Sequence, residues 1–424
     1  MNTKTNRKIE IMAIGSELLT PHFQDTNSLY LTERMNDLGM EISYKTIVGD
    51  DWDELVLCIQ QAISRANLVF AIGGLGPTRD DRTREAFASV LQKKLIFHEE
   101  LLRKIEERFK RRGLSMPPVN KKQSYTIEGS EVLENKNGTA PGLWLDTGEK
   151  KIILLPGPPH ELKPMFEASV WPRLKSLKKG HSLRRVLKIT GLTESKIENL
   201  ISDIYPQDPH LRITTLAYPG QIEIHITGQS EDSQIQAEER VQKSEKSIIE
   251  RLEENVFSTS GEELEEVVGE LLKLNRKTLA TAESCTGGLL GHRITNVPGS
   301  SNYFILSAVV YSNEAKIILL DVSRELLEKH GAVSPQIAQA MAEGVRRKSQ
   351  SSYGLSITGI AGPTGGTAEK PVGLVYIALA WDEESEVSKN LFLGNRETIK
   401  FQSSQKALDM IRRHLLKSKK RKEV

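Results

Sequence analysis

The chain has 424 residues, which is enough for two to four domains of about 100–200 residues each. Its 58 lysines and arginines against 56 aspartates and glutamates leave a net charge of +2, which argues against a protein that coats a polyanion. A hydrophobic content of 38% excludes a mostly disordered chain. The two cysteines, Cys58 and Cys285, exclude a disulfide framework and a cysteine-based zinc cluster.

Targeting signals are not apparent in the sequence. The N-terminal segment lacks the apolar core of a signal peptide, and the apolar runs, such as 68–72 and 375–381, are far shorter than the ~18 residues of a membrane span. We therefore expect a cytoplasmic protein with no membrane partner.

The first 175 residues alternate short apolar runs with amphipathic stretches. The pattern predicts strands at 9–14, 40–48, 68–72 and 151–155, and helices at 26–38, at 52–65 and from about residue 80. This β-α-β order is typical of a mostly parallel sheet with helices on both faces. We predict an α/β, doubly wound first domain over 1–175.

A smaller unit is predicted at 183–256. Strands at 183–190 and 221–227 and helices at 193–201 and 233–253 indicate an α+β fold. The segment 258–261 marks a boundary, after which the α/β alternation resumes. Strands at 278–282, 304–311, 355–358 and 372–381 and helices at 264–274 and 396–416 predict a third, α/β domain over 260–424.

One candidate site in the first domain is the glycine-rich segment that follows strand 68–72. Glycines let the backbone approach a ligand, and a helix N-terminus attracts an anion; an ordinary strand–turn–helix junction is the alternative. The segment spans 73–81, and three others follow strands or lie near them: 15–19, 137–142 and 155–161. They could join the site, because open α/β sheets bind ligands at the carboxyl ends of their strands. The candidate binding residues are Gly74, Gly76, Thr78, Gly138 and Gly157, and the candidate oxygen ligands of a metal such as Mg²⁺ are Glu17, Asp80 and Asp81.

The third domain carries a denser set of motifs. They are Ala-Glu-Ser-Cys-Thr-Gly-Gly (282–288), Pro-Gly-Ser-Ser (298–301), Val-Tyr-Ser-Asn-Glu-Ala-Lys (310–316), Gly-Ala-Val-Ser (331–334) and Gly-Ile-Ala-Gly-Pro-Thr-Gly-Gly (359–366). None contains histidine, which disfavours a Ser-His-Asp triad. A serine or Cys285 as nucleophile with a lysine as base remains, and composition and spacing do not choose between them.

The four segments of the first domain, in this order, resemble the N-terminal domain of the competence/damage-inducible CinA family, which shares the MogA/MoaB-like molybdopterin-binding fold. The resemblance extends over residues 9–165. It implies ADP-ribose as a substrate and a pyrophosphatase activity that needs a divalent metal of the Mg or Co type.

Residues 278–373 resemble the C-terminal CinA domain, a nicotinamide mononucleotide deamidase of the Ser/Lys amidohydrolase type that needs no cofactor. The resemblance implies Ser301 as nucleophile, Lys316 as base and Tyr311 as a proton relay or support for the lysine. Ser284, Thr358, Gly359, Gly362 and Arg396 fall on substrate-binding positions, with the 359–366 loop and Arg396 suited to the substrate's phosphate.

The family architecture also implies a KH-like connector at 183–256 and a homodimer. This connector lacks the Gly-x-x-Gly loop with which KH domains hold RNA, so nucleic acid is an unexpected partner. Two alternative functions remain open. One is a non-enzymatic partner in competence or DNA recombination, which predicts salt-sensitive DNA binding, and the other is a molybdopterin-binding protein.

Overall fold

The structure is a computed structural model that describes residues 8–177, 180–206 and 208–420. The first seven residues, on which the expectation of no signal peptide largely rests, lie outside the described residues. The chain divides between Ser182 and Leu183 into two compact units. In the described ranges, no helix is both long enough and apolar enough to cross a membrane.

The first unit is an α/β fold built on one main sheet. Its elements are β1 (Ile9–Ile14), α1 (Thr26–Asp37), β2 (Tyr44–Val48), α2 (Trp52–Arg65), β3 (Leu68–Ile72), α3 (Thr83–Val90), β4 (Leu95–Phe97), α4 (Glu99–Arg111), β5 (Tyr125–Ile127), β6 (Ser130–Leu133), β7 (Gly142–Asp146), β8 (Lys151–Leu155), α5 (Pro159–Met165) and α6 (Trp171–Leu177). The main sheet has the order β2-β1-β3-β8-β7-β6, in which β2, β1, β3 and β8 are parallel and β7 and β6 are antiparallel additions.

The central strands are buried on both faces because helices cover each side. Met12 and Val69 pack against α2 and α3, whereas their neighbours Ile11 and Phe70 pack against α1, α5 and α6. Adjacent strand residues point to opposite faces, so a continuous apolar run such as Leu68–Ile72 contributes side chains to two hydrophobic cores, one on each face of the sheet.

The second unit begins with the KH-like connector. Its elements are β9 (His181–Ile189), α7 (Glu194–Ile201), β10 (Leu211–Tyr218), β11 (Gln221–Ser230), α8 (Gln234–Leu252) and β12 (Val256–Ser258). The sheet order is β10-β11-β9-β12, and alternate residues of β11 (Ile222, Ile224 and Ile226) enter a core with α7 and α8.

The C-terminal fold completes the second unit. Its elements are α9 (Leu264–Leu274), β13 (Leu279–Glu283), α10 (Leu289–Thr295), β14 (Phe304–Val309), α11 (Asn313–Leu320), α12 (Arg324–His330), α13 (Pro335–Ser349), β15 (Tyr353–Gly359), β16 (Leu374–Trp381), β17 (Glu384–Leu391) and α14 (Arg396–Lys420). The sheet order is β14-β13-β15-β16-β17. Strands β14, β13 and β15 are parallel, so their carboxyl ends meet at one edge.

The predicted α/β class is confirmed, and the differences from the predicted elements are local. The helix expected from about residue 80 begins at Thr83, because residues 76–82 form a loop held by side-chain hydrogen bonds. Several elements were not predicted, among them strands β4, β5, β6, β7, β10, β12 and β17 and helices α4 and α13. β17 is a polar edge strand in which exposed and half-buried residues alternate, so it lacks the apolar run that marks a buried strand.

Candidate functional site

The candidate site of the second unit is built on the turn that joins β13 to α10. Ser284 follows the last residue of β13, and its N–H still donates to the Ile357 carbonyl of β15 at 2.9 Å. Gly287 and Gly288 then adopt φ of +62° and +94°, which residues with side chains rarely adopt. The two glycines turn the chain sharply into α10, so Ser284 stands at the carboxyl edge of the sheet.

Glu283, the last residue of β13, holds this turn in place through its side chain. Its carboxylate is fully buried and accepts hydrogen bonds from the backbone N–H groups of Gly288, Leu290 and Gly291, at 3.1, 3.0 and 2.8 Å. A carboxylate at a helix N-terminus satisfies orphan N–H groups and complements the helix dipole. The N-terminus of α10 is therefore already occupied by a protein anion, and Glu283 is a residue that sequence reasoning missed.

Lys316 reaches the same edge from the first turn of α11. Its Nζ lies 3.4 Å from Ser284 Oγ and donates to the Val310 carbonyl at 2.9 Å, with the carbonyls of Tyr311 and Ser312 at 3.4 Å. The residue is 1% exposed, and no carboxylate is paired with it in the described part of the chain. Burial lowers the pKa of Lys316 from its ordinary value, which favours a neutral amine able to accept a proton.

Cys285 is buried directly beside this pair. Burial raises the pKa of its thiol to about 12, and the nearby charge of Glu283 acts in the same direction. The thiol is therefore protonated at neutral pH, and protonated thiols are poor nucleophiles. The alternative that Cys285 is the nucleophile is disfavoured by its surroundings.

The structure does not bring Ser301 to Lys316. Ser301 is exposed in a 3-10 turn (Ser300–Asn302) that precedes β14, whereas Lys316 comes after the other end of β14. The six residues of β14 separate the two ends by about 17 Å at 3.3 Å per residue. Within one chain, the serine beside the lysine is Ser284, and the predicted pairing of Ser301 with Lys316 is not formed.

Tyr311 and Arg396 are hydrogen-bonded to each other next to the site. Arg396, the first residue of α14, donates to the Gly362 carbonyl at 2.6 Å and to the Tyr311 hydroxyl at 3.1 Å. Tyr311 is 62% exposed, and its carbonyl lies near Lys316 Nζ. The arginine thus ties the 359–366 loop to the segment that carries the lysine.

Thr358 and Gly359 support the site from β15. The buried Thr358 hydroxyl donates to the Ala332 carbonyl at 2.8 Å, so it holds the segment before α13 in place. Gly359 lies against β16, where a Cβ would come within 2.6 Å of the Leu374 carbonyl. Thr358 and Gly359 therefore position neighbouring backbone segments of the site.

A second candidate site is a cleft of about 610 Å³ in the first unit. All four predicted segments contribute to it. The predicted residues that line the cleft are Glu17, Gly74, Gly76, Asp80, Asp81 and Gly157. Thr78 and Gly138 lie just behind the lining: Thr78 hydrogen-bonds Asp81, and Gly138 packs against the lining residue Glu161.

The three predicted metal ligands share this cleft without converging on one point. Asp81 accepts a hydrogen bond from the Thr78 N–H at 2.8 Å. A side-chain hydrogen bond from Thr78 holds the pKa of Asp80 below its usual range. The Glu17 carboxylate lies against Gly15 instead. No group of three or more His, Cys, Asp or Glu residues is arranged to hold a metal anywhere in residues 8–177, 180–206 and 208–420. The donors have the right chemistry for a hard cation, but the described arrangement does not fit one.

Comparison with known proteins identifies relatives along the whole chain. Family models match residues 10–176 ("Probable molybdopterin binding domain"), 184–258 ("Damage-inducible protein CinA KH domain") and 261–415 ("CinA C-terminal domain"). A CinA-like protein of Koribacter versatilis is 46% identical over 412 residues, which cover 96% of this chain and 99% of the relative. One from Dictyoglomus thermophilum is 44% identical over 96% of this chain and 99% of its own. The crystal structure of competence/damage inducible protein CihA from Agrobacterium tumefaciens is 35% identical, covers 35% of this chain and 94% of its own, and has a TM-score of 0.34.

Proposed function

The chain belongs to the CinA family of competence/damage-inducible proteins, and from that premise we propose that its second unit hydrolyses the carboxamide of nicotinamide mononucleotide, giving nicotinic acid mononucleotide and ammonia. The observation that carries the proposal is the buried pair of Ser284 and Lys316, with Oγ and Nζ 3.4 Å apart. A serine beside a desolvated lysine is suited to acyl transfer without histidine or metal.

The proposed reaction uses Ser284 as nucleophile. Neutral Lys316 takes the proton of Ser284 Oγ, and Oγ attacks the carboxamide carbon. The C–N bond then breaks, the leaving amine takes the proton from Lys316, and ammonia departs. Lys316 then deprotonates a water molecule, which attacks the resulting ester. As nicotinic acid mononucleotide is released, Lys316 returns that proton to Ser284 Oγ and restores the hydroxyl.

The turn also supplies donors for the oxyanion. The backbone N–H groups of Cys285 and Thr286 follow the nucleophile directly, and neither makes a backbone hydrogen bond among the described residues. In strand–turn–helix hydrolases the N–H after the nucleophile stabilises the tetrahedral oxyanion. We assign the same role to this turn, while Arg396 ties the 359–366 loop to Tyr311.

The test of this function is ammonia release from purified protein. With nicotinamide mononucleotide we expect stoichiometric ammonia and nicotinic acid mononucleotide, at a rate unchanged by a metal chelator. Absence of both products would remove the proposal. Salt-sensitive DNA binding in its place would favour the non-enzymatic alternative.

For the first unit we propose ADP-ribose pyrophosphatase activity in the cleft that Gly74, Gly76 and Gly157 line. The glycine-rich backbone and the 610 Å³ volume support a nucleotide ligand. A divalent cation bound by Glu17, Asp80 and Asp81 would neutralise phosphate charge, but these side chains would have to turn toward one another first. No step of the hydrolysis is therefore assigned to a metal.

The two proposed activities can be separated experimentally. ADP-ribose is offered with chelator, with Mg²⁺ and with Co²⁺, and AMP is measured. Metal-dependent AMP supports the proposal. Retention of molybdopterin without AMP formation would favour the molybdopterin-binding alternative instead.

We also propose a homodimer, which the family resemblance implies. Light scattering at several protein concentrations tests it: a mass of twice 47.4 kDa is expected, and 47.4 kDa at every concentration would contradict it.

A further inference from the structure

Two cations of α14 face the turn that carries the proposed nucleophile. Arg396 and Lys400 are four residues apart, so they lie on one face of the helix. A Cβ added at Gly287 would lie 3.9 Å from Lys400 Nζ. Both positive charges act on the buried Cys285 thiol and oppose the rise in its pKa that burial causes. The two side chains therefore approach the 284–288 turn from α14.

Two of the five N–H donors of Arg396 are committed within the protein. Its Nη1 donates to the Gly362 carbonyl and its Nη2 to the Tyr311 hydroxyl. A guanidinium in this geometry fixes two loops, and turning it toward a ligand would break both contacts. Arg396 is accordingly a positioning residue. The substrate's phosphate, predicted from the sequence to bind Arg396, is then available to the second cation of the same helix face.

Lys400 is that second cation. It is half-buried, and it has no acidic or hydrogen-bonding partner in the part of the chain that the structure describes. Like charges four residues apart on a helix repel each other, so the pair costs stability unless an anion lies between them or beside them. The acid in the turn, Glu283, cannot serve, because its oxygens are taken by three N–H groups of α10.

We propose that Lys400 binds the phosphate of the mononucleotide substrate and so selects the nucleotide over the corresponding nucleoside. The inference rests on the proposed deamidase function and adds to it the residue that recognises the phosphate. An ammonium group with three free donors suits a phosphate dianion. The contact lies three residues beyond Ser284 along the turn, away from the reacting carboxamide, so it acts on substrate binding.

The test compares Lys400→Ala with wild type on nicotinamide mononucleotide and on nicotinamide riboside. Loss of a charge-assisted hydrogen bond should raise KM for the nucleotide about 10- to 100-fold, with kcat nearly unchanged and the riboside unaffected. Lys400→Arg should recover most of the nucleotide preference. Lys406→Ala is the matched control, since it removes the same charge from the same helix and should change neither substrate's KM.

A direct binding measurement separates this inference from the proposed function. Inorganic phosphate should raise the melting temperature of the second unit in wild type and in Lys406→Ala, but not in Lys400→Ala. Absent turnover by wild type would count against the deamidase function, while the phosphate titration would still decide the role of Lys400. Equal losses on both substrates, or an equal phosphate shift in Lys400→Ala, would overturn the assignment.

Discussion

Lys316 is a buried lysine whose positive form is destabilised by its surroundings. Replacing it with methionine keeps an unbranched side chain of similar length and removes the ionisable group. We expect Lys316→Met to lose ammonia release by about 10²- to 10⁴-fold, the usual contribution of a general base, and to melt at a higher temperature than wild type at neutral pH.

The pH dependence of that stability difference follows from the direction of the pKa shift. Because the folded-state pKa is lowered, the unfolded chain binds more protons between that pKa and the ordinary value of about 10.4. Wild-type stability therefore rises with pH across this window, and the difference in melting temperature between Lys316→Met and wild type becomes smaller. Thermal unfolding from pH 6 to 10 measures it; an advantage that grows with pH would contradict the account.

The relation of the two serines to Lys316 follows from chain topology. The predicted strand 304–311 lies between Ser301 and Lys316, so a strand's length already separated them in the sequence. Ser284 and Lys316 each follow a parallel strand and must share one edge of the sheet. The partners of Arg396 were not predictable, because they depend on how α14 packs against loops far away in sequence.

At the scale of elements, the turn between β13 and α10 depends on the Glu283 carboxylate. We expect Glu283→Gln to destabilise the protein by about 1–3 kcal/mol, because the amide that replaces one oxygen is a donor facing backbone N–H groups. Displacement of Ser284 should lower ammonia release as well. Urea unfolding checks the first effect, with the exposed Glu325→Gln as control; wild-type stability in Glu283→Gln would contradict this role.

The predicted helix–strand alternation was confirmed because strands such as β3 and β13 are continuously buried. Burial imposes an apolar run that a sequence shows directly. Glu283 is the exception, since it is a charged residue at the end of a buried strand. It lies inside the 282–288 motif, but its role was missed because only its three backbone partners explain it.

At the scale of the second unit, α14 joins the site to the KH-like connector. Its first turn carries Arg396, and at its middle Asp409 is fully buried between Arg412 and Arg413. These arginines bond Glu254 and Asn255 of the connector at 2.6 to 2.9 Å. One helix thus holds two folds together, which the sequence did not reveal because the bonded residues Arg412 and Glu254 lie 158 positions apart along the chain.

We expect Asp409→Asn to destabilise the second unit by about 3–5 kcal/mol, because it leaves two arginine charges without their buried partner. Calorimetry should show a lower melting temperature for this unit, whereas Asp321→Asn, which breaks an exposed pair with Lys348, should change it little. An unchanged transition in Asp409→Asn would contradict the view that α14 couples the two folds.

The central claim is that Ser284 and Lys316 form the amidohydrolase pair. The most direct measurement is ammonia release from nicotinamide mononucleotide by Ser284→Ala and Ser301→Ala, with melting temperatures confirming that both fold. The account predicts that Ser284→Ala loses turnover, while Ser301→Ala retains catalysis by an intact pair. Undiminished turnover in Ser284→Ala, or loss confined to Ser301→Ala, would contradict it.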